Sequence, residues 1–502
     1  MNREIVLIVD FGGSNNSQLI ARKIRNNNIY CEVVSNKSPI EEIKGKNPKA
    51  IVIMGRVDSS DDSQMKSILA LNLPTLTICG FLYLESIFDG KVTAKDSATL
   101  LVDEVVKVVN ADTVSKDLGD SSNCVLNFAH EITALPSGFQ EILSADSKIL
   151  VKKDNLYATI LDLEKTQDEV SDKIITNFFH NVCNLKNTWD IEIFVQDKIE
   201  EYKEKIGNKK VLCALSGGVD STVCTALLHK AIGDNLTCIF VDHGLLRLHE
   251  ADDVMEVLSG LGVKVIKIDA QDRFLSKLKG VVEPEEKRKI IGEEFIRLFE
   301  EEGKKIGNVD YLVQGTIYSD VIESGTKDHS LIKSHHNVGG LPDVIDFEEI
   351  LEPVRDLFKD EVRKAGTFLG LPDSTVNRQA FPGPGLGVRV IGELTKEKLD
   401  ILREADFIFR EEVEKNKLPI WQYFAVMTDI KTVGVTEDGE RSYNYTIALR
   451  AISSYDAMKA TFFRIPYEIL EVVSARITNE VEEVNRVLFD VTNKPPSCIE
   501  WE

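Results

Sequence analysis

One stretch of this 502-residue chain restricts its fold more than any other. A short apolar run, Val211-Leu212-Cys213-Ala214-Leu215, is followed at once by Ser216-Gly217-Gly218-Val219-Asp220-Ser221 and then by a helical pattern, Ser221–Ala231. An unbroken apolar run of this length reads as a strand buried on both faces, as in parallel sheets. Glycines just after it let the backbone take positive φ and approach a ligand closely. Successive N–H groups where the helix begins form a cradle for an anion. Ser216, Ser221 and Thr222 add hydroxyl donors, and Asp220 is the residue to hold Mg²⁺ against bound phosphates. The spacing differs from G-x-x-x-x-G-K-[ST], the other common phosphate loop. A glycine-rich turn without a ligand is the plain alternative, and the six-residue pattern in a strand-to-helix setting argues against it.

The rest of the chain repeats the alternation. Ile5–Val9, Ala50–Met54, Thr75–Ile78 and Leu236–Val241 read as buried parallel strands. Gln18–Asn26, Glu250–Leu261 and Glu285–Glu302 read as helices, which predicts α/β layers. Polar residues Asn184–Asp190 mark a boundary near 188, followed by a charged helix, Ile191–Ile206. Phe381-Pro382-Gly383-Pro384-Gly385-Leu386-Gly387 cannot be regular structure and ends the second unit near 388. Beyond it a helix (Thr395–Lys415), strands (Thr432–Val435 and Ser442–Ala451) and a last helix (Pro466–Asn479) predict a small α+β unit. The fold class is therefore two doubly wound parallel-sheet domains, 1–188 and 189–388, then an α+β domain, 389–502.

Charge narrows the partners. Sixty Lys and Arg stand against 82 Asp and Glu, a net −22. Such a surface repels nucleic acid and anionic membrane, so a phosphate site must be local. The eight cysteines form no C-x-x-C pair, no signal peptide opens the chain, and no apolar run spans a bilayer. A cytoplasmic protein is expected.

The pattern Ser216-Gly217-Gly218-Val219-Asp220-Ser221 resembles the PP-loop of N-type ATP pyrophosphatases, which release pyrophosphate and transfer AMP to a substrate oxygen. Further segments resemble the GMP synthase family over essentially the whole chain. They are Phe240–Arg247, Pro284–Gly292, Gln314–Tyr318, Asp320–Gly325, Lys333–Gly340, Phe381–Gly387 and Lys494–Glu502. The resemblance implies a ligase that makes GMP from XMP: ATP adenylylates the O2 oxygen and ammonia displaces AMP at C2. It implies that Ser216, Gly217, Gly218, Val219, Asp220, Ser221 and Thr222 hold ATP and Mg²⁺. Lys333, His335 and His336 fall where the family has a lid, and with Asp220 they are implied as catalytic. Arg288, Pro384, Gly385, Lys494, Ile499 and Glu500 match positions that grip XMP. The C-terminal unit is implied to form a homodimer.

The first domain resembles a class I glutaminase but departs from its pattern at several catalytic and binding positions. The family's cysteine lies in G-I-C-Y-G-M-Q, and the segment here is Leu76-Thr77-Ile78-Cys79-Gly80-Phe81-Leu82. Aligned without a gap, Ile78 holds the nucleophile position, and a gap restores Cys79. The base segment Y-G-V-Q-F-H-P-E reads Tyr157-Ala158-Thr159-Ile160-Leu161-Asp162-Leu163-Glu164, with Asp162 for histidine and Glu164 kept. A carboxylate cannot act as imidazole does, one nitrogen oriented and the other taking the thiol proton. Arg56 replaces a glycine of the oxyanion loop, and Glu131 replaces the glycine of a glutamine-binding S-H-G, where His130 remains. An ammonia-dependent enzyme with a structural first domain is expected. A paralogue acting on another purine nucleotide or with another nucleophile, a nucleotide-binding pseudoenzyme, and a glutamine-dependent enzyme using Cys79 are the alternatives.

Overall fold

The computed structural model describes residues 4–12, 17–55, 61–78, 81–94, 102–119, 122–126, 130–161, 163, 168–186, 189–307, 309–325, 347–435, 438–454 and 459–502. It divides into two compact units: Met1–Phe194 with Ser319–Ile332, and Val195–Tyr318 with Lys333–Glu502.

The first unit is built on a mixed sheet. Strands β1 (Val6–Asp10), β2 (Cys31–Ser35), β3 (Ala50–Met54), β4 (Thr75–Ile78) and β5 (Leu156–Thr159) lie parallel in the order β2-β1-β3-β4-β5. β1 and β3 are buried along their whole length, as their unbroken apolar runs require. The sheet then continues antiparallel through Lys148–Lys153 and Gln140–Ser144. This extension carries no parallel-sheet signal in the sequence. Its neighbours are joined by short turns such as Ala145–Ser147, and a short turn can only reverse a strand.

The second unit holds a five-stranded parallel sheet. Its strands are β6 (Val211–Leu215), β7 (Leu236–Asp242), β8 (Val265–Asp269), β9 (Tyr311–Val313) and β10 (Glu349–Leu351), in the order β8-β7-β6-β9-β10. The order reverses between β6 and β9. A crevice opens at such a switch point beyond the carboxyl ends of the strands. Helix α1 (Val219–Ile232) follows β6 and is buried nearly all round, since Val223, Cys224, Leu227 and Leu228 are sealed. Helix α2 (Pro284–Ile306) packs on β7, and α3 (Lys359–Phe368) packs on α1.

The C-terminal part is a helix α4 (Lys396–Lys415) on a mainly antiparallel sheet of β11 (Gln422–Val435), β12 (Arg441–Ser454), β13 (Ala460–Phe462) and β14 (Val484–Asp490). β11 starts ten residues earlier than its alternating stretch indicates. Gln422–Thr428 is buried on both faces and therefore lacks period-two alternation, and the pairing with β12 shifts register between Met427 and Lys431. One apolar core runs from Leu212 and Ile239 through Ile291, Leu394 and Phe409 to Ile447 and Leu449. Among the described residues no helix is long and apolar enough to cross a membrane.

Candidate active site

The loop after β6 is shaped by its own hydroxyls. Gly217 has φ +74°, a conformation that a side chain resists. Gly218 N–H donates to Ser216 Oγ at 3.3 Å. Ser221 Oγ and Thr222 Oγ1 donate to Gly218 O at 3.1 and 2.9 Å, and Ser216 Oγ lies 3.2 Å from Ser221 Oγ. These bonds fix the turn, while the first-turn N–H groups of α1, from Val219 onward, lack earlier carbonyls in the helix. Such N–H groups can donate to an anion. The segment after β9 closes the other side. A Cβ on Gly315 would stand 3.4 Å from Ser221 N. Thr316 Oγ1, next to it, is buried without a partner.

The structure adds cations that lie far away in sequence. Lys359, the first residue of α3, donates to both oxygens of Asp220 at 2.8 and 2.7 Å. Its helix starts with Phe358 N–H bonded to Glu361 at 2.8 Å, which fixes where Lys359 emerges. Arg378 donates to Gly217 O at 2.8 Å and pairs with Glu250. Burial, with Arg247 and Arg410 nearby, pulls its guanidinium down to about 9. Arg363 donates to the carbonyls of Val376 and Arg378, both at 3.0 Å, and so steadies that turn. Arg247 is 5% exposed, lies 4.4 Å from the Phe381 ring centroid and leaves Nη2 without a partner. A strongly acidic chain has thus gathered arginines at one place.

His243, in the loop after β7, is buried, and its Nδ1 accepts the Leu245 N–H at 3.1 Å. Burial first, then Arg403, pushes it down to about 4. The native state holds it neutral while the unfolded chain binds a proton below the ordinary histidine value. Stability is therefore full above roughly pH 6.5 and falls as pH drops toward the folded value, by about 2 kcal/mol at pH 5. The measurement is the denaturant midpoint at pH 7 and 5. His243→Asn, which keeps an acceptor for Leu245, should remove most of that pH dependence.

Of the residues matched to the XMP site, Lys494, Ile499 and Glu500 lie in the terminal segment and Arg288 reaches it, while Gly385, just after Pro384, lies against Leu245. Gly385 has φ +63°, and a Cβ there would meet Leu245 O at 2.3 Å, so only glycine fits. Pro384 precedes it as the cap of a tight turn. Arg288 Nη2 donates to Glu502 O at 2.5 Å, and the buried Lys287 bonds Val390 O at 2.8 Å and the Glu502 carboxylate. Ile499 packs on Phe424, Val426 and Ala448. Its carbonyl accepts from the buried Arg450, which also holds Asp490 at 2.8 Å and the carbonyls of Thr492 and Cys498. Glu500 is gripped by Arg389 at 2.8 and 3.0 Å and by Gln422 at 3.2 Å. Lys494 joins through its backbone, paired with Ala460. Phe381 lies between Arg247 and Arg389, Arg247 bonds Glu250, and Glu250 pairs with Arg378, which donates to Gly217 O.

Lys333, His335 and His336 lie outside the described residues, as do Arg56, Cys79, Asp162 and Glu164. Ile78 ends β4, half-buried, opposite Met54. β4 and β5 are parallel neighbours, Thr77 opposite Ala158, so the strands preceding the nucleophile and base segments end side by side. Glu131 lies on a strand, Thr93 opposite it. Among the described residues no cluster of three or more His, Cys, Asp or Glu could hold a metal by itself. A single carboxylate with phosphate oxygens is enough for Mg²⁺, and Asp220 fits that role.

Comparison with known proteins adds three family matches: glutamine amidotransferase class-I over residues 7–182, NAD synthase over 191–298, and GMP synthase C terminal domain over 411–501. Full-length relatives named GMP synthase [glutamine-hydrolyzing] come from Acetivibrio thermocellus and Clostridium botulinum, each 50% identical, and from Clostridium tetani, 49% identical. Each alignment covers 100% of both chains. A solved glutamine amidotransferase from Thermotoga maritima covers 37% of this chain and 100% of its own, at 11% identity and a TM-score of 0.31.

Proposed function

Because the chain belongs to the GMP synthase family, we propose that it adenylylates XMP with ATP and aminates the adduct to GMP with free ammonia. It is an ATP-dependent ligase of purine biosynthesis. The observation that supports the adenylylation reading is the phosphate loop Ser216–Thr222, with Asp220 held by Lys359, together with the Arg389–Glu500 pair.

XMP O2 attacks the α-phosphorus of ATP, the bond to the β-phosphate oxygen breaks, and pyrophosphate leaves. Ammonia then adds at C2, a proton is lost, and AMP departs with the O2 oxygen. The first-turn N–H groups of α1 hold the departing phosphates, as preorganised dipoles at developing charge. Lys359 offsets charge beside them. Mg²⁺, which the family generally uses with ATP, would be held by Asp220 and supply charge neutralisation on the pyrophosphate. Arg288, Lys494, Ile499 and Glu500 orient the nucleotide, and Pro384 and Gly385 let the chain approach it. Lys333, His335 and His336 are proposed to cover the site.

The division of labour follows: residues 1–188 an inactive glutaminase-like domain, 189–388 the ATP pyrophosphatase domain, 389–502 the dimerisation domain. Exposed Ile430, Val433, Val435 and Tyr443 on β11 and β12 suit contact with a second copy. The relatives' names include glutamine hydrolysis. The reading of an inactive first domain rests on the sequence departures at the nucleophile, base, oxyanion-loop and glutamine-binding segments.

The test is GMP formation from XMP, ATP, Mg²⁺ and ammonium chloride. GMP supports the reading. Pyrophosphate without GMP replaces ammonia by another nucleophile, and silence with XMP overturns XMP as substrate.

A further inference from the structure

Arg389 does not lie in any stretch singled out as substrate-binding, yet the substrate cluster is arranged around it. It is 1% exposed. Its guanidinium lies 3.9 Å from the Phe424 ring centroid and 5.3 Å from that of Phe381. Stacking of this kind fixes the plane of the group. Nε and Nη2 then form a fork on Glu500, at 3.0 Å to Oε2 and 2.8 Å to Oε1. Its main chain is fixed too: Arg389 N–H donates to Leu386 O at 2.9 Å, and Arg389 O accepts from Met427 N–H at 2.8 Å. The residue therefore ties the Phe381–Gly387 run, the strand β11 and the terminal segment to one carboxylate.

A carboxylate has about four acceptor positions. Arg389 fills two, and Gln422 fills a third at 3.2 Å. The Glu500 side chain keeps 18% exposure, so an edge remains open to a donor. The ring N–H groups of a xanthine base flank the C2 carbonyl, and such an N–H is the donor that fits a single open acceptor. An acceptor held in one orientation sets the base, and with it O2, relative to the α-phosphate. An acceptor free to rotate does not.

We infer that Arg389 is the positioning residue for purine recognition, acting through Glu500. The inference rests on the proposed role of Glu500 at the XMP base. Lysine keeps the charge but cannot make the planar fork.

The experiment compares wild type, Arg389→Lys, Glu500→Gln and the double variant as full-length proteins, with ammonium as nucleophile. In Arg389→Lys, KM for XMP should rise ~10-fold or more while KM for ATP stays within about 2-fold. The double variant should have a KM for XMP within about 2-fold of Glu500→Gln alone, since both changes remove one interaction. Additive effects, equal rises in both KM values, or a lowered melting temperature with KM for XMP unchanged would overturn the inference. Glu500→Gln with unchanged KM for XMP would remove Glu500 from the base and take the inference with it. Wild type without XMP-dependent turnover would instead overturn the substrate reading on which it stands.

Discussion

Asp220→Ala should lower XMP-dependent GMP formation by ~10³-fold or more, measured as kcat/KM with saturating ATP and ammonium. Asp220 emerges from the first turn of α1, and Lys359 meets both its oxygens at 2.7 and 2.8 Å. The carboxylate is the proposed anionic anchor of the Mg²⁺–ATP complex, and Asp220→Ala removes it. The Lys359 ammonium also loses the partner that fixes its direction. The side chain is 26% exposed, so its removal costs little folding energy, and the melting temperature should hold. Asp220→Asn should fall nearly as far, because an amide is a weak Mg²⁺ ligand and carries no charge. Turnover within tenfold of wild type would mean that ATP is held elsewhere.

The second large effect compares nitrogen sources. With ammonium the protein should make GMP. With glutamine at equal concentration the rate should be at least ~100-fold lower, since a positioned general base contributes roughly 10²–10⁴-fold. The basis is the proposed alignment, which puts Asp162 at the histidine position, Glu131 where the substrate carboxylate would approach, and Arg56 in the oxyanion loop. Neighbouring carboxylates also raise a thiol's pKa rather than lower it. Cys79→Ala should then change neither rate. If glutamine-driven GMP formation is present and Cys79→Ala abolishes it, Cys79 is the nucleophile and the broken-triad account fails.

The phosphate loop is legible in the sequence because its chemistry is contiguous: strand, glycines, hydroxyls and helix start fall within a dozen residues of Val211. The parallel strands are legible because each is an unbroken apolar run. Lys359, Arg378 and Arg389 are not. They reach the site from other elements, and a lone cation on a helix or after a turn looks like any solvated charge. Proximity made by the fold is what distinguishes them: Lys359 meets a residue 139 positions away, and Arg378 one 161 away. The antiparallel extension of the first sheet and the early start of β11 escape sequence reading for a different reason. Both depart from the simple period that a parallel run or a half-exposed strand imposes.

The core shared by Leu212, Ile291, Leu394, Phe409 and Leu449 crosses position 388, where the sequence changes character. That seam divides roles but not folding. Cut there, each half would present apolar faces of the other's interior to water, at ~25 cal/mol for every Å² uncovered. The adenylylating sheet and the C-terminal sheet should then open and close together, as one cooperative block in hydrogen exchange. Recombination that separated the C-terminal module from its ATP sheet would uncover apolar faces on both fragments.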